Sequence, residues 1–145
     1  MFTLTRRILV LAAMAAVVAG AAEKKAIWPK GSKPAGPYTP GILIDGTIYV
    51  SGQVGRDPKT GNIPENFEAE VQQTLDNINV ILKEAGYAPA DAISVQVHLT
   101  DIELFQRMNA VYMKFFPEPR PTRTTVGVSK LVCTARIEIT VTAKK

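Results

Sequence analysis

The stretch that decides the fold is NFEAEVQQTLDNINVILKEAGYAPADAISVQVHLT, residues 66–100. Its first part repeats Phe67, Val71, Leu75, Ile78, Leu82 and Ala85 at three- and four-residue spacing, the period of a helix with one apolar face. Asn66 stands where an N-cap is needed. Glu68 and Glu70 follow in the first turn, where carboxylates favour the positive end of a helix. Gly86 supplies a stop. The spacing therefore predicts a helix over 66–85. The period then changes to two. Ile93, Val95, Val97 and Leu99 point one way, and Ser94, Gln96, His98 and Thr100 the other, as in a strand with one buried face. A one-faced helix followed by a one-faced strand packs helix on sheet.

Working outward, Asp45-Gly46 separates two apolar β-forming runs and reads as a hairpin turn with positive φ. Strands are expected near 41–45 and 47–53. RDPKTGNIP is a turn-rich loop, and the Lys-, Pro- and Gly-rich residues 22–36 read as an extended lead-in. On the other side, Asp101 caps a second helix that ends before Pro117. Its stripe is Phe105, Met108, Tyr112, Phe115 and Phe116. Two strands follow. In TTVGV, Thr124, Val126 and Val128 share one face, and Arg123, Thr125 and Gly127 the other. In ARIEITVTA, Ile137, Ile139 and Val141 oppose Arg136, Glu138, Thr140 and Thr142. The order ββ-α-β-α-ββ gives a two-layer α+β domain, a mixed sheet covered on one face by two helices. The uncovered face is half polar, a sequence-level sign of oligomerisation.

The chain has 145 residues, 17 basic and 13 acidic, with one histidine and one cysteine. Residues 1–21 have a basic start (Arg6, Arg7), an apolar run from Ile8 to Val18 and the small residues Ala19, Gly20 and Ala21. This is the pattern of a secretory signal peptide, too short for a spanning helix. Its removal predicts an exported, periplasmic or secreted single domain over 22–145, with no membrane association after cleavage. Two arginines leave with it, so 15 basic residues stand against 13 acidic, a net charge of +2. With no Lys/Arg block, nucleic acid is a poor partner. Cys133 cannot form an internal disulfide, and reads as a free thiol or an intermolecular link.

A metal site is poorly supplied by one His and one Cys far apart. No phosphate-binding glycine loop or G-x-S-x-G occurs. His98 reads as a packing or contact residue. Asn109 is more informative: it falls on the apolar stripe of the second helix, and a buried amide needs partners. A structural hydrogen bond and a functional role are both open. Arg123 and Glu138 lie on the less apolar faces of successive strands. An arginine grips a carboxylate with two parallel hydrogen bonds, and a glutamate nearby can orient or deprotonate a water. On spacing alone a weak cross-strand salt bridge is the favoured reading.

The whole pattern resembles the RidA, or YjgF-type, family of enamine/imine deaminases. The matching stretches are GPYTPG (36–41), YVSGQVGRDPKTGNIP (49–64), QTLDNINVILKEAG (73–86), VHLTDIELFQRMNAVYMKFFPE (97–118), RPTRTTVGVSKL (120–131) and IEITVTA (137–143). The resemblance implies a chorismate-mutase-like fold and a homotrimer with active sites in the clefts between subunits. It implies cofactor-free hydrolysis of 2-aminoacrylate-type enamines, through their imines, to 2-oxo acids and ammonia. The essential arginine falls on Arg123 and the water-positioning glutamate on Glu138. The cleft tyrosine falls on Tyr38, the serine and glutamine of SGQ on Ser51 and Gln53, and the helix asparagine on Asn109. Thr125 stands where a cysteine is usual, Pro40 where a glutamine is common, and Thr140 where a second acid is usual. A non-catalytic trimeric module outside the cytoplasm, binding a small carboxylate or acting as a chaperone-like unit, is the competing expectation.

Overall fold

Asp45 and Gly46 both adopt left-handed backbone, φ 47 and 68, as a two-residue hairpin turn requires. They join β2 (Gly41–Ile44) to β3 (Thr47–Val54). The structure is a computed structural model that describes residues 22–32 and 36–145. The signal-peptide expectation falls on residues 1–21, outside the described residues. The lead-in carries a short strand, β1 (Lys25–Ile27), antiparallel to β2. The order is therefore βββ-α-β-α-ββ, a correction to ββ-α-β-α-ββ. Only Ile27 of β1 is buried, and three residues are too few for alternation to be read.

The remaining elements are α1 (Phe67–Glu84), β4 (Ala92–Leu99), α2 (Phe105–Phe115), β5 (Thr122–Gly127) and β6 (Ile137–Lys144). The strands form one six-stranded sheet in the order β1-β2-β3-β6-β4-β5. All neighbours are antiparallel except β4 and β5, which run parallel across α2. The Asn66 side chain caps α1 by accepting the Ala69 N–H at 2.8 Å. Gly86, at φ 80, ends it. Asp101 caps a single 3-10 turn, Ile102–Leu104, before α2 begins. Both helices lie on the same sheet face. Phe67, Val71, Leu75, Ile78 and Leu82 of α1 share one core with Met108 and Tyr112 of α2 and with Ile137, Ile139 and Val141 of β6.

One residue of the expected β4 face is reversed. Ile93 is 49% exposed and Ala92 takes the buried position. The β4–β6 register slips between Ala92 and Ser94. The extra residue of a bulge turns its side chain out of the alternation.

The layers are joined by a buried carboxylate. Glu70 is wholly buried in α1. Its two oxygens accept the Arg136 N–H at 2.7 Å and the Arg136 Nε–H at 2.6 Å. Arg136 Nη2 donates to the carbonyls of Pro64 and Glu65, each at 2.9 Å. Gly55 must be glycine for Glu70 to sit there, because a Cβ would lie 2.5 Å from the Glu70 carbonyl oxygen. A second pair, Arg107 to Glu68 at 2.7 and 2.8 Å, ties α2 to α1. Its guanidinium hydrogen bonds hold the Glu68 carboxyl down at about 2.

The two halves of the Glu70–Arg136 pair are unequal. Glu70 has no access to water, whereas the Arg136 side chain is 35% exposed. Arg136→Met strands a buried charge and should cost about 3–5 kcal/mol. Glu70→Met leaves an arginine that can reach water and should cost less. Urea denaturation at fixed protein concentration tests this order, and equal or reversed losses would contradict it.

Candidate functional site

Glu138 lies on β6 between the buried Ile137 and Ile139, so alternation turns its carboxylate to the face the helices do not cover. It makes no hydrogen bond or ion pair with another described residue. Space for it comes from Gly52. The β3–β6 register shifts between Val50 and Gln53, and this irregularity brings Gly52 against the glutamate. A Cβ on Gly52 would lie 2.6 Å from Glu138 Oε1 and 2.8 Å from its Cδ. The contact explains why a glycine stands inside SGQ, a constraint the sequence reading did not detect.

Glu138 lines a cavity of about 450 Å³ together with Tyr38, Gln53, Asn77, Val132 and Cys133. Ser51 does not line it. The Ser51 hydroxyl donates to the Thr39 carbonyl at 2.6 Å, and its N–H to the Pro40 carbonyl at 2.9 Å. Ser51 thus fastens the segment that carries Tyr38, whose ring is 60% exposed. Gln53 Nε2 curls back to donate to Ser51 O at 2.9 Å and Gly52 O at 3.2 Å. Asn77 of α1 donates to the carbonyls of Val54 and Arg56, fixing the cavity's far wall. Asp57 in that wall accepts the Lys59 and Thr60 N–H groups, which hold its carboxyl below the ordinary value.

Arg123 is elsewhere. Strand alternation grouped it with Glu138, away from the core, and the structure corrects this. In the parallel β4–β5 pairing Arg123 sits beside Val95, and Thr125 beside Val97, both on the helix-covered face. The guanidinium lies over the Tyr112 ring at 4.5 Å and the Phe105 ring at 5.3 Å, with Nη1 3.9 Å from Met108 Sδ. The residues on the opposite face, Thr124 and Val126, are the exposed ones. Alternation identifies the buried face only where the other face is wet, and β5 places a valine on its uncovered side. An aromatic slot in α2 accommodates the cation through cation–π attraction. Among the described residues Arg123 has no acidic partner, whereas Arg120 pairs with Glu118. The two arginines of RPTRTTVGV are thereby distinguished: one is a loop charge in an ion pair, the other a guanidinium held by rings and a thioether with no acidic partner among the described residues.

Asn109 is half-buried on α2, one turn from both Phe105 and Tyr112, and forms no hydrogen bond with a described residue. Thr125 Oγ1 and Tyr112 Oη are buried without a partner, as is His98 Nδ1 on the uncovered face opposite Glu138. Burial raises the Tyr112 phenol above its ordinary pKa, against the pull of Arg123 and Arg120. One chain thus carries two separate clusters of polar side chains, each called a half-site below. Tyr38, Gln53 and Glu138 form one. Arg123, Asn109, Tyr112 and Thr125 form the other, on the opposite face of the sheet. Among the described residues no group of three or more His, Cys, Asp or Glu is placed to hold a metal.

The comparisons with known proteins bear on these half-sites. The family model described as endoribonuclease L-PSP matches residues 29–145. A RutC family protein of Saccharolobus solfataricus is 44% identical over 117 residues, covering 80% of this chain and 93% of that protein. A 2-iminobutanoate/2-iminopropanoate deaminase of Bos taurus is 40% identical over 105 residues, covering 72% of this chain and 77% of that protein. The crystal structure of Escherichia coli TdcF with bound serine superposes with a TM-score of 0.78 at 32% identity, covering 84% of this chain and 99% of that one.

Gly52→Ala tests the geometry of the glutamate half-site. The new Cβ must displace the Glu138 carboxylate, and because that is the unpartnered end of a flexible side chain the loss of stability should stay below about 1 kcal/mol. A displaced carboxylate in a crystal structure of the variant, with little change in denaturation midpoint, is expected. An unmoved carboxylate would contradict the tight approach.

Proposed function

The chain belongs to the endoribonuclease L-PSP family, the RidA/YjgF-type proteins, and from that premise we propose that it hydrolyses 2-imino acids to 2-oxo acids and ammonia. The observation that carries the reading is the pair of unpartnered groups: an arginine held on an aromatic slot and a glutamate lining a cavity. The bovine relative named as an imine deaminase supports the reaction class. The serine in the E. coli relative supports a small ligand bearing a carboxylate.

Because Arg123 and Glu138 lie on opposite faces of one sheet, a second copy completes each site in this proposal. A homotrimer places the Arg123 half-site of one subunit against the Glu138 half-site of the next. Rings closed by such head-to-tail contacts are common. The exposed Val126 and Tyr49 on the uncovered sheet face fit closure by neighbouring copies.

In this cleft Arg123 holds the substrate carboxylate with two parallel N–H···O bonds. A water hydrogen-bonded to Glu138 adds to the carbon of the protonated C=N bond and gives its proton to Glu138. The C–O bond forms as the C=N electron pair moves to nitrogen. Glu138 returns the proton to that nitrogen; the C–N bond then breaks, its electron pair leaving with ammonia, as the hydroxyl gives its proton to Glu138 and becomes the 2-oxo group, and ammonia carries that proton away as ammonium. An enamine substrate enters through its imine tautomer. Fixing the substrate and water together removes much of the entropic barrier. Tyr38 and Gln53 border the water's cavity, Ser51 fastens the Tyr38 segment, and Asn109 lies beside the arginine. No cofactor takes part in these steps. The N-terminal signal pattern would place the reaction outside the cytoplasm.

The test generates imines in situ with an amino-acid oxidase and follows ammonia release. Arg123→Ala should lower the accelerated rate about a hundredfold or more and leave the oligomer intact by light scattering. Arg123→Lys, which keeps the charge but not the fork, should also be impaired. Full activity in Arg123→Ala would overturn the assignment. Binding of 2-oxo acids without acceleration of any imine would favour the non-catalytic module.

A further inference from the structure

We propose that the cavity beside Glu138 is a subsite for a bulky apolar side chain, so that the preferred substrates are 2-imino acids derived from branched-chain or aromatic amino acids. This deepens the imine-hydrolase reading of Glu138 and rests on it. A cavity of about 450 Å³ corresponds to roughly fifteen waters' share of liquid volume. Within one chain, before a neighbouring copy closes the cleft, a three-carbon imino acid, with about six heavy atoms, leaves most of such a space unfilled.

The lining gives the chemistry. Tyr38, Val80 and Val132 are 60%, 45% and 63% exposed, and all three border this cavity. Val80 lies off the buried stripe of α1, on a side where neighbouring outward residues are the polar Gln72, Asp76, Lys83 and Glu84. Val132 is carried by a turn in which Cys133 and Thr134 both hold left-handed backbone, φ 54 and 61. L-residues adopt that conformation at a cost, and here it places Val132 and Cys133 at the cavity wall. Apolar side chains drawn from three separate segments thus converge around one concavity that ends at Glu138. Such convergence is the mark of a ligand pocket rather than of scattered surface hydrophobics.

The charges at the cavity argue against an acidic side chain. Arg56 stands at its edge, but its Nε–H is committed to the Gly61 carbonyl at 2.9 Å, and the residue is exposed. The carboxylates of Asp57 and Glu138 border the same space. A second anionic group on the substrate would meet two carboxylates for one solvated guanidinium. An apolar group meets Val54, Val80, Ile81 and Val132 instead.

The test uses 2-oxo acids, which share the carboxylate, planar C2 and side chain of the imines, and so reads the subsite without requiring turnover. Dissociation constants of the full chain are measured by calorimetry for pyruvate, 2-oxoglutarate and the 2-oxo acids of leucine and phenylalanine. The leucine or phenylalanine product should bind about tenfold or more tightly than pyruvate. Val80→Asn and, separately, Val132→Ser should reduce that ratio severalfold. Imines of the same amino acids should follow the same rank in kcat/KM. Equal affinities, tightest binding of 2-oxoglutarate, no binding of any 2-oxo acid, or a ratio unmoved in both variants would overturn the subsite. Selective apolar binding with no turnover of any imine would leave the subsite standing and overturn the hydrolase reading.

Discussion

The buried Glu70 carboxylate is the contact from which the rest of this architecture can be followed. It is wholly buried at the start of α1 and holds both the backbone and side chain of Arg136. Arg136 in turn holds the Pro64 and Glu65 carbonyls near the end of the 55–66 loop. One carboxylate therefore fixes the helix layer, the loop behind the cavity and the entry into β6. β6 is the strand from which both wings of the sheet extend, pairing with β3 on one side and β4 on the other. A side chain two residues beyond Arg136 inherits that placement, and that side chain is Glu138.

Once β6 is seated, alternation leaves no freedom. Ile137, Ile139, Val141 and Ala143 fill the core, and Glu138 must face away from it. The same rule applied across the parallel β4–β5 pair turns Arg123 toward α2. Arg123 and Glu138 are thus separated by the sheet itself. A rotamer change cannot bring them together. In the proposed reaction, where one holds the carboxylate and the other the water, a second copy is therefore needed for chemical reasons, apart from any stability that oligomerisation adds. The aromatic slot under Arg123 has a matching logic: rings and the Met108 thioether hold the guanidinium without neutralising its charge, as an acidic partner would.

The features legible in the sequence were those carried by local signals. Asp45-Gly46 announced its hairpin, Asn66 its cap, and the 3.6-residue spacing of α1 its buried stripe. Strand β1 was not legible because three residues among lysines and prolines carry no periodicity. Ile93 was misplaced because a bulge in β4 is set by its pairing with β6, which the sequence of β4 does not record. Arg123 was assigned to the wrong face because alternation assumes that the apolar side of a strand is the covered one. The role of Gly52 is invisible in the chain order, since the group it makes room for lies more than eighty residues away. Motif resemblance singled out Arg123 and Glu138 together, but not that one chain holds them apart.

Subunit complementation tests the shared cleft most directly. Arg123→Ala and Glu138→Gln chains, each inactive alone, are mixed, dissociated and reassembled. A cleft that draws its arginine from one subunit and its glutamate from the next is intact wherever a Glu138→Gln chain supplies the arginine and an Arg123→Ala chain the glutamate. Random reassembly of equal amounts should restore about a quarter of the wild-type imine hydrolysis. A reassembled mixture with no more activity than its parents would contradict the account.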